Sequence, residues 1–217
     1  MASAPAWHYV TTANHGCNAD NATGLTVSCT ASAGVTANDT VIVCAYEYAG
    51  TTPSTSVSVT DSINTPTTYT AVGTLYSASN IVIQMFYFKF TGAPASTTFT
   101  ATFVGGTGST INAMTVSEYS GLTPTLDATG TFYNYASASN VPSGSFTPGT
   151  IGDLAAACSF SGSSVTPGIG AGWVSRQSGV SNEYKVSEDN IVAGTGSQTA
   201  PFTNASNNSA TAGAAFK

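Results

Sequence analysis

Ile81-Val-Ile-Gln-Met-Phe-Tyr-Phe-Lys-Phe90 decides the fold. With the two-residue period of a strand, its odd positions are Ile81, Ile83, Met85, Tyr87 and Lys89, and its even positions Val82, Gln84, Phe86, Phe88 and Phe90. Both faces are apolar, so this strand is expected to be central and covered on both sides. β-Branched and aromatic residues dominate it, as suits a pleated surface.

Outward from it, further strands are predicted at 6–12, 24–30, 40–48, 55–60, 67–73, 96–104, 110–119, 129–135, 153–160, 170–176, 182–187, 197–203 and 209–216. Turn chemistry separates many of them, as in Gly50-Thr-Thr-Pro53, Asn64-Thr-Pro66, Gly92-Ala-Pro94, Gly105-Gly-Thr-Gly108 and Gly121-Leu-Thr-Pro124. No stretch carries a helical apolar stripe. So many short strands predict an all-β, two-sheet, jelly-roll-like β-sandwich. The 217 residues read as one domain, with 1–37 as N-terminal strands around a disulfide loop and 38–217 as the main sandwich.

Two segments match. Asp39-Thr-Val-Ile-Val-Cys44-Ala-Tyr46 and Asp153-Leu-Ala-Ala-Ala-Cys158-Ser-Phe160 each place cysteine five residues after aspartate and an aromatic two later. This implies two halves of similar strand order, with residues 134–150 as the crossover. It also pairs Cys44 with Cys158, which are then expected on neighbouring strands of the two halves, and leaves Cys17 and Cys29 to staple the polar loop between them. Free buried thiols at 44 and 158 are the alternative. Two bridges point to an oxidising, extracellular or cell-surface home. Met1-Ala-Ser-Ala-Pro-Ala-Trp7 lacks the basic and apolar regions of a signal peptide, so the expectation is a signal already removed, with a virion-type protein that never used one as the alternative.

Composition excludes several functions. Ser and Thr are plentiful and charged residues make up only 6% of the chain, so the surface is one of hydroxyls and small side chains, with little to hold anions. Lys89, Arg176, Lys185 and Lys217 are the only cations, too few for a row of nucleic-acid phosphates or an acidic membrane surface. No apolar run is long enough for a spanning helix.

Asn38-Asp-Thr-Val-Ile-Val43, Val57-Ser-Val-Thr-Asp-Ser62 with Thr68-Tyr-Thr70, Phe86-Tyr-Phe-Lys89, Val116-Ser-Glu-Tyr-Ser-Gly121, Gly152-Asp-Leu154 and Glu183-Tyr-Lys185 are strand and turn signatures. In these the chain resembles secreted bacterial β-sandwich modules found as repeats in large surface or fibre-like proteins. The resemblance spans roughly residues 38–217, leaves out the N-terminal disulfide loop and implies an exported, jelly-roll-like, non-catalytic module. It transfers no binding residue.

Chemical constellations are sparse. The only histidines, His8 and His15, sit in the first fifteen residues and the sequence has no Gly-x-Ser-x-Gly elbow, so they read as edge and loop residues rather than parts of a triad. His15, Cys17 and Asp20 match no zinc spacing, and a disulfide removes the thiolate. No cofactor is expected, although Asp61, Asp127, Glu188 and Asp189 are loop carboxylates of the type that holds structural calcium. Glu47, Glu118, Asp127 and Asp153 are the carboxylates from which a glycosidase pair would come. Glu118 shares a strand face with Met114 and Val116, and Lys89 one with Ile81 to Tyr87, so each needs a buried partner. A Lys89–Glu118 pair is expected, or, more sharply, a Lys89–Asn isopeptide bond assisted by Glu118.

Flat rings stack on sugar faces, so the aromatics are the binding candidates. Tyr133 and Tyr135, beside the presumed crossover, read as an exposed pair, with Trp173 as a third ligand-binding residue; Trp7, Tyr46 and Tyr48 are further candidates. Gly168-Ile-Gly-Ala-Gly-Trp173 mimics a dinucleotide fingerprint but precedes no helix. Glycosylation sequons stand at Asn21, Asn38, Asn204 and Asn207. The expected function is a non-catalytic recognition or adhesion module whose partner is a glycan or cell-surface ligand. The alternatives are a structural subunit that packs against copies of itself in a fibre or virion, and a glycosidase-like enzyme.

Overall fold

The computed structural model describes residues 7–11, 14–21, 24–64, 69–162, 167–178 and 185–217. Glu183 and the start of the strand predicted at 182–187 lie outside them, as do residues 67 and 68 of another. Nothing is described of the side chains of Asn21, Asn204 and Asn207. The described strands, in chain order, are β1 (His8–Tyr9), β2 (Cys17–Asn21), β3 (Thr26–Ala31), β4 (Thr40–Thr52), β5 (Ser56–Asp61), β6 (Thr70–Ala71), β7 (Tyr76–Ala78), β8 (Ile81–Lys89) and β9 (Thr97–Val104). They continue as β10 (Thr107–Ser120), β11 (Ala128–Gly130), β12 (Tyr133–Asn140), β13 (Phe146–Pro148), β14 (Leu154–Ser161), β15 (Val174–Ser178), β16 (Lys185–Ile191) and β17 (Thr203–Phe216). Among the described residues no helix is long and apolar enough to cross a membrane.

The apolar double face of β8 has the expected consequence. β8 lies within a central sheet of order β1-β10-β4-β8-β6, with β2 also on β10 and β7 on β8. Its Ile81, Ile83 and Met85 join Ile42, Cys44 and Tyr46 of β4 against the five-stranded sheet β12-β17-β14-β16-β15. Phe86, with Val41, Val43 and Val116, packs instead against Val27, Val59, Phe99 and Phe103 of the three-stranded sheet β3-β9-β5. All the strand pairings are antiparallel. The chain is therefore an all-β sandwich with a third sheet laid over its outer face, and β11 and β13 pair as a separate two-stranded sheet. Each large side chain buried in these two cores contributes roughly 1.5–3 kcal/mol.

Both disulfides form as read, Cys17–Cys29 and Cys44–Cys158. The second does not join hydrogen-bonded neighbours. It ties β4, inside the central sheet, to β14, inside the five-stranded sheet, across the core. The matched aromatics Tyr46 and Phe160 stack there, ring centroids 5.3 Å apart.

Residues 134–150, expected as a crossover, instead supply β12 and β13. β12 pairs with β17 from Tyr133↔Ala212 to Asn140↔Thr203. Their small Ser, Ala and Asn side chains lack the β-branched signature of a strand, and pairing with an equally small-residue partner overrides that weak propensity.

Candidate functional site

A groove that combines aromatic, charged and aliphatic side chains lies where β1 meets the edge of the five-stranded sheet. Trp7, His8, Tyr9, Val174, Arg176, Asp189, Asn190 and Ile191 line about 250 Å³ of open space. β1 is only two residues long, pairing His8 with Ser120 and Tyr9 with Tyr119. Aromatic packing fixes it: Trp7 and Tyr9 both meet Tyr119 edge-on, at 6.1 and 5.5 Å between centroids. The Trp7 indole N–H donates to the Gly152 carbonyl at 3.0 Å.

The opposite wall is a β-bulge. β15 and β16 pair Val174 with Asp189 and Ser175 with Glu188, then slip so that Gln177 meets Ser187. Arg176 is the extra residue, and a bulge re-aims the side chain it carries. The guanidinium lies 4.4 Å from the centre of the Tyr9 ring and donates through Nε to Asp189 Oδ2 at 2.5 Å. Gln177 Nε2 donates to the Tyr9 hydroxyl at 3.3 Å. Asp189, only 1% exposed, also bonds the Tyr119 hydroxyl. Glu188, buried beside it, accepts from Gly170 N at 2.8 Å, and burial pushes its carboxyl up to about 8. Val174 and Ile191, 49% and 45% exposed, flank the groove with bare aliphatic surface.

Two acid clusters cap the sandwich. Glu118, fully buried, accepts from His15 Nδ1 at 2.9 Å and Thr36 N at 2.7 Å. It also shares a hydrogen bond with Asp39, whose pKa is raised to about 6, first by burial and then by Glu118. The loop carrying Thr36 packs closely: a Cβ on Gly34 would stand 1.6 Å from the Pro94 carbonyl oxygen, and Gly34 has φ +76°, so glycine is required there. In the second cluster Asp153 hydrogen-bonds Asp127, and Lys217 Nζ donates to Asp127 Oδ1 at 3.0 Å. Neither Asp127 Oδ2 nor Asp153 Oδ2 has a conventional donor among the described residues, which fits one proton shared between the two carboxyls. Burial, then Asp127, raises Asp153 to about 7, while the bonds from Asp153, Thr150 and Lys217 lower Asp127.

The residues singled out from sequence are scattered. Lys89 pairs with Thr40 and Glu118 with Val41, so adjacent rungs send them to opposite faces. Lys89 Nζ instead donates to the Leu122 carbonyl at 3.4 Å, and no Lys89–Glu118 ion pair forms. Tyr133, expected to be exposed, is 7% exposed. Its hydroxyl donates to the Val72 carbonyl and accepts from Gln84 Nε2 at 2.8 Å and Met85 N at 3.1 Å. Tyr135 and Trp173 are half-buried against the core, and neither lines the groove. Tyr46 is buried and Tyr48 half-buried.

The four carboxylates considered for calcium are separated. Asp61 accepts from Ile63 N, Asn64 N and the Tyr69 hydroxyl at 2.7–3.0 Å, Asp127 belongs to the cluster with Asp153 and Lys217, and Glu188 and Asp189 bond Gly170 N and Arg176 beside the groove. Among the described residues no group of three His, Cys, Asp or Glu is placed to hold a metal. Of the carboxylates considered for glycoside hydrolysis, Asp127 and Asp153 do meet, but in direct hydrogen-bond contact rather than flanking space for a sugar. Glu47 is buried and accepts from Ser54 N and Oγ at 2.7 and 2.9 Å.

Sequence reading did not assemble Arg176 with Tyr9 and Asp189, since a bulge leaves no mark in composition or period. The one available signal was that this is the only arginine in a chain so poor in charge. Comparison with known protein families, curated proteins and solved structures finds no match for this chain.

Proposed function

We propose that this chain is a non-catalytic extracellular recognition module that binds a glycan in the groove between β1 and the β15–β16 edge. One observation carries the reading: a bulge holds Arg176 on the Tyr9 ring and against Asp189, in a groove also lined by the exposed aliphatic side chains of Val174 and Ile191. Shallow grooves that combine fixed polar groups with apolar flanks suit sugar rings, whose C–H faces and polar edges need both. About 250 Å³ fits one ring of a longer chain rather than a buried substrate. Two disulfides and the hydroxyl-rich surface support an extracellular setting. The test is a glycan array with polysaccharide pull-down, comparing the native chain with Ile191→Asp, which puts a charge on the apolar flank. Native binding that Ile191→Asp abolishes supports the reading; no retention on any glycan sinks it.

A structural role has its own observation. The outer face of β3-β9-β5 presents Thr26, Ser28 and Thr30 beside Thr98, Thr100 and Thr102 and then Ser58 and Thr60, with no charge among them. Ser28–Thr100 and Thr30–Thr98 hydroxyl bonds of 2.7 and 2.9 Å order it. Such a face suits close packing of copies. Light scattering and electron microscopy at working concentration test this, and a strictly monomeric chain counts against it.

A further inference from the structure

The polar groups of the groove are one-sided. Asp189 is buried, and its oxygens serve Arg176 Nε and the Tyr119 hydroxyl. Asn190 Oδ1 accepts from Ile191 N at 2.8 Å, so the amide NH₂ is the end of Asn190 left to a ligand. Asp189 is the only hydrogen-bond acceptor that the described residues give the guanidinium, and it takes Nε alone. Among the described residues the two Nη groups therefore take no hydrogen bond. The Tyr9 ring at 4.4 Å and the Asp189 contact hold the guanidinium plane before any ligand arrives. The Tyr9 hydroxyl is engaged with Gln177 and the Arg176 carbonyl. What remains is a rim of N–H donors, with His8 beside them.

A neutral sugar offers hydroxyls, each bringing a hydrogen that seeks an acceptor, and the groove has committed its carboxylates elsewhere. A carboxylate offers acceptors alone, and its two oxygens match a guanidinium fork bidentately. We propose that the groove takes a carboxylated sugar, a uronate, with its carboxylate on the Nη fork of Arg176 and the Asn190 amide, and its C–H face against Val174 and Ile191. The proposal rests on the glycan reading above and names its ligand class. The chain's net charge of −6 does not prevent it, because charges beyond about 8 Å are screened at physiological salt. The nearest carboxylates are Asp189, neutralised by Arg176 itself, and Glu188, buried and facing away toward Gly170.

The experiment is calorimetric titration of the native chain with short oligogalacturonate, oligomannuronate and the carboxyl-reduced counterpart of each. At least one uronate is expected to bind, its reduced form roughly tenfold or more weaker, as befits loss of a charge-assisted pair. Arg176→Gln is expected to abolish uronate binding. Arg176→Lys, which keeps the charge and loses the fork, should retain a small part of it. Ile191→Asp provides a variant that leaves the guanidinium packing alone, and thermal unfolding of each variant checks that it is folded. Equal binding of uronate and reduced oligomer would overturn the uronate assignment and leave the glycan reading standing. Binding of neutral glycans alone on the array would do the same. Absence of binding to any saccharide would end both.

Discussion

The two matched segments end in the same chemistry at different depths. Asp39 precedes β4 and Asp153 precedes β14, and each shares a hydrogen bond with a second carboxyl, Glu118 or Asp127. Each second carboxyl also takes a basic side chain from near a chain end, His15 or Lys217. Because Cys44 meets Cys158 and Tyr46 meets Phe160, β4 and β14 run the same way across the core, and the clusters lie at one end of it. Glu118 is fully buried, whereas the Asp127 and Lys217 side chains are 17% and 48% exposed. Desolvation makes an uncompensated charge costly only where water is excluded, so depth rather than residue identity should set the energetic weight of each cluster.

The bridge that aligns the halves should have the largest effect. Cys44 and Cys158 are 114 residues apart and Cys17 and Cys29 only 12. In the chain-entropy model their removal costs about 5 and about 3 kcal/mol. Urea unfolding of Cys44→Ala/Cys158→Ala against Cys17→Ala/Cys29→Ala measures the difference. Equal losses would mean that the long bridge does not hold the two halves together.

Next comes the deeper cluster. Glu118→Ala strands His15, Thr36 N and Asp39 in the interior and should cost about 3–5 kcal/mol. Asp127→Ala, partly open to water, should cost about 1 kcal/mol. Comparable losses in the same unfolding assay would break the claim that depth decides. Glu118→Gln, keeping one acceptor without the charge, should fall between them.

The shared protons of the clusters, together with buried Glu188 beside the groove, give the fold a pH signature. Asp39, Asp153 and Glu188 have pKa values raised to about 6, 7 and 8, against about 4 in an unfolded chain. Between pH 4 and 8 the folded state therefore binds more protons, so stability from these groups is fullest at pH 4 and below. It is lost as pH rises through each folded value. Each pKa unit is worth about 1.4 kcal/mol before solvent screening, so the expected decline is a few kcal/mol per group, smallest for Asp39, and Tm should be higher at pH 5 than at pH 8. Asp39→Asn should remove the step that ends near pH 6 and Asp153→Asn the one that ends near pH 7. A Tm that rises from pH 5 to 8 would contradict proton sharing in both halves.

What was legible in the sequence follows from period and spacing. The double apolar face of β8 and the cysteine pairing are local patterns, and each has its expected counterpart in the fold. The matched Asp-Cys-aromatic segments were expected on neighbouring strands and instead face each other from two sheets, because spacing along the chain does not say which sheet a strand joins. The partner of Glu118 was not legible, because a one-rung offset between β8 and β10 sends Lys89 to the other face. Tyr133 was misplaced because residues 134–150 read as a crossover rather than as β12, which left the predicted strand at 129–135 without a covering partner, although the Tyr133 hydroxyl closes three hydrogen bonds with β8 and the Val72 segment. The groove was hidden for a third reason. It depends on a bulge and on a two-residue strand, and neither has a sequence period.

The smallest expected effect is the most discriminating test of depth. Lys217 closes the second cluster as His15 closes the first, so a view based on residue identity alone would give the two contacts equal weight. Lys217→Ala removes a half-exposed ammonium whose partner keeps its bonds from Asp153 and Thr150, and should cost no more than about 0.5 kcal/mol. His15→Ala leaves one oxygen of a fully buried carboxylate without its donor and should cost about 1–3 kcal/mol. Raising the salt concentration separates them further, because screening weakens the exposed contact and barely reaches the buried one. A Lys217→Ala loss as large as that of His15→Ala, unchanged by salt, would show that the second cluster is as dry as the first and that the two caps are equivalent.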